Sequence, residues 1–149
     1  MNSRQQLAFM DVTERFSQLS YAQKLKVGAI VVKNDRIISI GYNGTPKGWD
    51  NTCEEVILST IETGESKVII KDLKTKPEVI HAERNALDKL VCSNESGLDA
   101  VMFITHNPCF ECAKSIYNSG IKTVYYRYDY RKSNGIDFLK KCGVDIVRV

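Results

Sequence analysis

The sequence predicts a three-layer α/β/α sandwich around a five-stranded mixed sheet whose last three strands are parallel. Three observations carry this. An amphipathic segment opens the chain and is followed by two Val/Ile-rich runs separated by Asn34-Asp35. From His81 onward, helical patterns and short apolar runs alternate three times. Strands that are each reached through a helix run parallel, since the right-handed crossover brings the chain back in the same direction.

The elements follow in order. Residues 3–20 place Leu7, Met10, Phe16 and Leu19 at near-helical intervals, which predicts a helix with one apolar face. KVGAIVVKND and RIISIGYNG are β-branched runs joined by residues that suit a tight turn, hence a β-hairpin. GYNGTPKGWDN, with its three glycines and one proline, reads as a loop. Residues 53–62 are expected to form a helix, and TGESKVIIKDLKTKPE after them an inserted surface loop with some short structure. HAERNALDKLVC is a helix, AVMFIT a buried strand, and PCFECAKSIYNSG a helix with proline near its start and Gly120 at its end. KTVYYRYDY, NGIDFLKKCG and VDIVRV complete the pattern as strand, helix and strand. One domain over residues 1–149 accounts for all of it, with no repeat or low-complexity tract.

Composition narrows the function classes. The formal charge of +3 is mild and the charges are mixed along the chain, so no basic stripe suggests a polymeric nucleic acid as partner. The longest apolar runs are strand-sized, far short of a bilayer span. MNSRQQLAFMDVTERF alternates polar and apolar residues instead of showing a secretory leader, so cytoplasm is the expected location, that of the host if the chain is phage-encoded. Five cysteines, Cys53, Cys92, Cys109, Cys112 and Cys142, are an odd count that points to free thiols or metal ligands over a disulfide scaffold.

Two short motifs carry chemistry. In HAERNAL, His81 and Glu83 are two apart, so on a helix they point to nearly opposite sides. They can serve one site only if it lies off the helix end. In Pro108-Cys109-Phe110-Glu111-Cys112 the proline suits a helix start, and the two cysteines three apart share one face near the positive end of the helix dipole. Two thiolates and an imidazole are a common ligand set for Zn²⁺, and three protein ligands leave the fourth tetrahedral position for a water or substrate atom. If His81 and the cysteine pair each begin a helix, the metal lies between two helix N-termini, with Glu83 facing the open position as a proton shuttle. Singly, the cysteines could be buried thiols and His81 a satisfied imidazole; the two motifs in this order make the site the stronger reading.

His-x-Glu followed by Pro-Cys-x-x-Cys is the signature of zinc nucleobase deaminases. With Lys26-Val27-Gly28-Ala29, Gly41-Tyr42-Asn43-Gly44, HAERNAL, NPCFECAKSIYNSGIKTVYY and Tyr130-Arg131, the chain resembles the deoxycytidylate (dCMP) deaminases of compact bacterial and phage type, over nearly its full length. These belong to the zinc-dependent cytidine deaminase-like superfamily, whose fold is the sandwich already read from the pattern. The resemblance implies hydrolytic deamination of dCMP to dUMP and ammonia, feeding thymidylate synthesis. The alternative within the same fold is a tRNA adenosine or free-nucleoside deaminase.

The resemblance also implies roles. His81, Cys109 and Cys112 would be the ligands of one Zn²⁺ and Glu83 the general acid/base. Asn43, Ala82 (through its amide) and Tyr130 would contact substrate, though Asn43 also suits a plain turn and Tyr130 a packed aromatic. Many members are homo-oligomers, hexameric or dimeric, activated by dCTP and inhibited by dTTP. Val27, Gly28, Gly44 and Lys47 resemble parts of that regulatory region, where Mg²⁺ would accompany a triphosphate. The cysteines and histidine of a second, structural zinc found in larger phage relatives are missing except for Cys53, which reads as a buried thiol. His106 reads as a packing or hydrogen-bonding residue, and Cys92 and Cys142 as small apolar residues. The substrate phosphate would need a cation, with Lys24, Lys26, Lys47, Arg84, Arg127 and Arg131 as candidates.

Overall fold

The chain enters its first helix through a capping box. The Asn2 carboxamide accepts from the Gln5 N–H and the Gln5 side chain accepts from the Asn2 N–H, each at 3.0 Å. In this computed structural model, which describes residues 1–130 and 132–149, that helix, α1, spans Ser3–Ser17. A hairpin follows, β1 (Gly28–Lys33) and β2 (Arg36–Tyr42). Asn34 and Asp35 both take positive φ, 50° and 58°, as a two-residue hairpin turn with the right twist requires. Further on come β3 (Glu54–Thr63), β4 (Ser66–Thr75), α2 (Ala82–Val91), β5 (Val101–His106), α3 (Phe110–Asn118), β6 (Thr123–Tyr128), α4 (Asn134–Lys141) and β7 (Asp145–Arg148).

The main sheet is five-stranded, in the order β2-β1-β5-β6-β7. β1 is antiparallel to both its neighbours, while β5, β6 and β7 are parallel, as the helix-strand alternation predicts. One face of the sheet, carrying Ala29, Val31, Met102, Ile104 and Val124, packs on α2, α3 and α4 through Ala86, Leu90, Ile116 and Leu139. The other, carrying Ile30, Val32, Phe103 and Tyr125, packs on α1 through Met10, with Phe9, Val12 and Phe16 half-buried beside it. Phe103 and Tyr125 stack across adjacent strands at 4.6 Å between ring centroids.

Two expectations are corrected. Leu7 and Leu19 are exposed, and the inward stripe of α1 is Met10, Thr13 and Ser17 with the half-buried aromatics. The small polar residues win because β1 passes close by: a Cβ on Gly28 would lie 2.4 Å from the Thr13 carbonyl oxygen. Residues 53–62 are no helix. They form β3, which with β4 makes a separate two-stranded antiparallel hairpin turned at Gly64-Glu65, registered from Glu54↔Thr75 to Thr63↔Ser66. Val56, Ile57, Thr60 and Ile61 favour an extended chain over a helical one, and the expected surface loop supplies the partner strand.

The fold positions the site by bringing α2 hard against β2. A Cβ on Gly41 would lie 2.2 Å from the Ala82 carbonyl oxygen and 2.5 Å from the Ala86 nitrogen, so only glycine admits that helix so closely. Side chains fasten the contact: the Ser39 hydroxyl donates to the Ala86 carbonyl at 2.6 Å, and Asn85 Nδ2 donates to the Tyr42 carbonyl at 2.8 Å.

Candidate active site

The segments after β5 and β6, with Asn107, Cys109 and Tyr130, share one cavity with His81, Ala82 and Glu83 at the start of α2, at the carboxyl ends of the strands where an α/β sheet usually places its ligand site. His81 is the residue before the first helical residue of α2, and Cys109 holds the same position on α3. The site therefore lies between two helix N-termini, as the spacing of the motifs predicts. His81 Nδ1 is 3.6 Å from Cys109 Sγ and 3.4 Å from Cys112 Sγ, and the three ligand atoms all lie within 4.8 Å of one another.

These distances test whether a zinc ion fits. Tetrahedral bonds of about 2.3 Å to sulfur and about 2.0–2.1 Å to nitrogen give an N···S edge of roughly 3.5–3.6 Å. The observed separations match that edge, and the donors are of the type Zn²⁺ selects. The residues fit the ion.

The electrostatics suit a cation. The Cys109 sulfur is held down at about 3, first by a hydrogen bond from the Cys112 thiol, with His81 and the Cys112 N–H contributing. The Cys112 thiol is raised in turn, because it shares its proton with the Cys109 thiolate and is itself buried. Cys109 Sγ also accepts from the Cys112 backbone N–H at 3.4 Å, a helix-capping bond that stabilises negative charge on sulfur.

Glu83 sits in the first turn of α2, 5% exposed. Burial pushes its carboxyl above the usual carboxylate range, against a backbone hydrogen bond and the neighbouring His81, which both favour the anion. A carboxyl so placed can hold a proton and give it up. It lines a cavity of about 320 Å³ together with His81, Ala82 and Cys109. Asn43, Val27, Leu25, Lys24, His106, Asn107 and Tyr130 form other parts of its wall, and Cys53, Glu54, Thr75, Lys76, Pro77 and Val79 bring the root of the β3–β4 hairpin to it.

Most of the residues singled out in the sequence meet here. Ala82, fully buried, is the first residue of α2, whose N–H has no acceptor inside the helix. The Asn43 carboxamide works between backbones: Oδ1 accepts from the Val27 N–H and Nδ2 donates to the Leu25 carbonyl, each at 2.8 Å. Val27 lines this same cavity. Gly28 is packed under α1, Gly44 pairs with Ile80 in an isolated bridge, and Lys47 is exposed on its loop. The four do not form one separate pocket.

Among the phosphate candidates, Lys24 lines the cavity. Arg84 is paired with Asp88 at 2.8 Å, and Arg127 with Asp11 and Glu14. Arg131 lies outside the described residues. His106 has its Nδ1 2.9 Å from the Thr105 hydroxyl and its ring 6.0 Å edge-on from that of Tyr130; burial pulls it below the ordinary histidine range. Cys53 is buried at the cavity wall, and Cys92 is exposed, contrary to its expected apolar packing.

Three cavity residues escape sequence reading. Lys76 adds a second cation to the wall. Glu54 is buried, with Oε1 accepting from the backbone N–H groups of Gln23 and Lys24 at 3.0 and 3.1 Å, which fastens the Lys24 segment to the hairpin. Asn107 is buried beneath the loop that carries Tyr130: its Oδ1 accepts from the Tyr130 N–H and its own N–H donates to the Tyr128 carbonyl. Its place directly before Pro108 is the one available signal.

The chain as a whole resembles known proteins. Residues 3–128 match the family model of the cytidine and deoxycytidylate deaminase zinc-binding region. The deoxycytidylate deaminase of enterobacteria phage T4 is 32% identical over 161 aligned positions, covering 89% of this chain and 83% of that protein. ComE operon protein 2 of Bacillus subtilis is 37% identical over 145, covering 95% and 69%. Among solved structures, the dCMP deaminase of cyanophage S-TIM5 in complex with dCMP and dUMP superposes with a TM-score of 0.85 at 41% identity, over 100% of this chain and 99% of that one.

The Asn107 contact has a direct check. Asn107→Ala should accelerate hydrogen exchange at the Tyr130 amide by roughly fivefold, the equivalent of a net hydrogen bond of about 1 kcal/mol, while the core of β5 keeps its protection. An unchanged Tyr130 amide would mean that the carboxamide does not hold the loop.

Proposed function

Since the chain belongs to the cytidine and deoxycytidylate deaminase family, we propose that this enzyme hydrolyses dCMP to dUMP and ammonia, with His81, Cys109 and Cys112 holding one Zn²⁺. One observation carries the reading: the buried Glu83 carboxyl lines a cavity of nucleotide-compatible size together with His81 and Cys109, two members of the His/Cys/Cys triangle that Cys112 completes. Likeness to the phage enzyme named for its dCMP and dUMP complex supports the substrate. In this reading the product supplies dUMP for thymidylate synthesis.

A bound zinc ion would supply Lewis-acid activation, making a water nucleophilic near neutral pH. The chain's own residues do the rest. Glu83 takes the proton from the attacking water as its oxygen bonds to C4 of the pyrimidine, and delivers it to N3. A second proton leaves the new hydroxyl through the same carboxylate and reaches the amine, which departs as ammonia when the C4–N bond breaks. The Ala82 N–H, one of those a helix leaves for an outside partner, donates to the pyrimidine carbonyl. Tyr130 and His106 form an aromatic wall against the base. Asn43 uses one N–H and one lone pair on the 25–27 backbone and keeps the others for a sugar hydroxyl. Lys24 and Lys76 neutralise the phosphate.

Two expected outcomes test this. Glu83→Gln should bind zinc normally while kcat falls by about 10²–10⁴-fold or more; retention of more than a few per cent of turnover would remove Glu83 from its role. In parallel assays dCMP should outrank deoxycytidine and tRNA, and the Lys24→Ala/Lys76→Ala double variant should raise KM for dCMP roughly tenfold or more with little change for deoxycytidine. dCMP as the poorest of the three substrates would instead favour the free-nucleoside or tRNA reading. The same assay with dCTP, dTTP and Mg²⁺ tests regulation: activation and inhibition respectively are expected, and a rate flat in both retires that part.

A further inference from the structure

The β3–β4 hairpin is ten residues a side, and its strands pack chiefly on one another. Its register puts Val56, Leu58 and Ile69 on one face and Ile57, Ile61 and Ile70 on the other, all exposed, with Leu58 and Ile69 68% and 70% accessible. A strand half-covered by its own domain alternates apolar and polar faces; one that is apolar on both faces is built to be covered on both. A lone two-stranded hairpin is also marginal in water, and both of its outer edges expose unpaired backbone.

The two edges differ in charge. β3 carries Glu55 and Glu62 as its exposed charges, with no Lys or Arg, while β4 carries Lys67, Lys71 and Lys74 against a single Asp72. Within the hairpin these already attract, through the Glu62–Lys67 and Glu55–Lys74 pairs. Between copies, like edges would bring glutamates against glutamates or lysines against lysines, whereas β4 of one copy suits β3 of the next.

We infer that the hairpin is an assembly arm that joins copies of this chain head to tail, the basic β4 edge of one arm against the acidic β3 edge of its neighbour. Such a heterologous contact is satisfied when it closes into a ring, which covers every edge and turns one apolar face of each arm inward. At about 3.4 Å per residue and about 4.8 Å between strands, each face offers on the order of 300 Å², so the inward face with the paired edges supplies about half of the roughly 800 Å² that each partner gives a stable interface. The inference stands apart from the substrate reading, because it concerns the arm and not the cavity.

Sedimentation velocity of the full chain at micromolar concentration, with a coexpression experiment, tests it. The wild-type chain should sediment as a closed oligomer. Ile69→Lys should weaken association by roughly tenfold or more, with metal content and circular dichroism unchanged, since that side chain is exposed in the single chain. A variant with both cross-strand pairs reversed (Glu55→Lys, Glu62→Lys, Lys67→Glu, Lys74→Glu) keeps those pairs within the hairpin and should assemble with itself. Coexpressed with wild type under a second tag, it should sort into separate assemblies. A monomeric wild type, an Ile69→Lys variant that assembles normally, or free mixing of swapped and wild-type subunits would each overturn the arm.

Discussion

Two helices must begin at the same point in space for any of this chemistry to exist. His81 stands at the start of α2 and Cys109 at the start of α3, and the 3.4 and 3.6 Å separations of the imidazole from the two sulfurs follow from that placement. The sheet enforces it. β5 ends directly before the cysteine motif, and the parallel crossover carries α3 back over the sheet. α2 reaches the same end because Gly41 lets its first turns lie against β2. The same convergence sets the Cys112 thiol, the His81 ring and the Cys112 N–H around Cys109, which favours thiolate over thiol there.

That arrangement also resolves the conflict posed by Glu83. A carboxyl so nearly buried is costly as an anion, and its raised proton affinity records the cost. Beside a divalent cation the same burial becomes useful, since the group can pass between charged and neutral forms without reorganising solvent. The walls around it are held from behind, by Asn43 to the 25–27 backbone, by Asn107 to the Tyr130 loop and by Glu54 to the Lys24 segment. Each is a polar side chain spent on backbone groups, a device that fixes loops where no strand ladder can reach.

How much of this a reader of the sequence could see depends on how local the signal is. The alternation of apolar runs and capped helices after His81 specifies strand order and direction, because crossover handedness leaves little choice. The convergence of His81, Cys109 and Cys112 is equally readable, since residue spacing at a helix start is a local property. The β3–β4 hairpin is not. Apolar residues on both faces erase the two-residue period by which strands are recognised, and interleaved Lys and Glu imitate a polar loop. Nor can Asn107, Glu54 or Lys76 be picked out, as their roles arise only when distant segments meet around the cavity. Leu7 and Leu19 mislead for the opposite reason: their spacing fits a helix, but the backbone of Gly28 claims the inner face for Thr13 and Ser17.

X-ray absorption at the zinc edge, on protein purified without added metal, bears most directly on the central claim. A metal-to-chain ratio near one, with a shell of two sulfurs, one imidazole nitrogen and one further light atom, is the result expected. A zinc shell of four protein side chains, or a protein that takes up no zinc at these residues, would contradict the account.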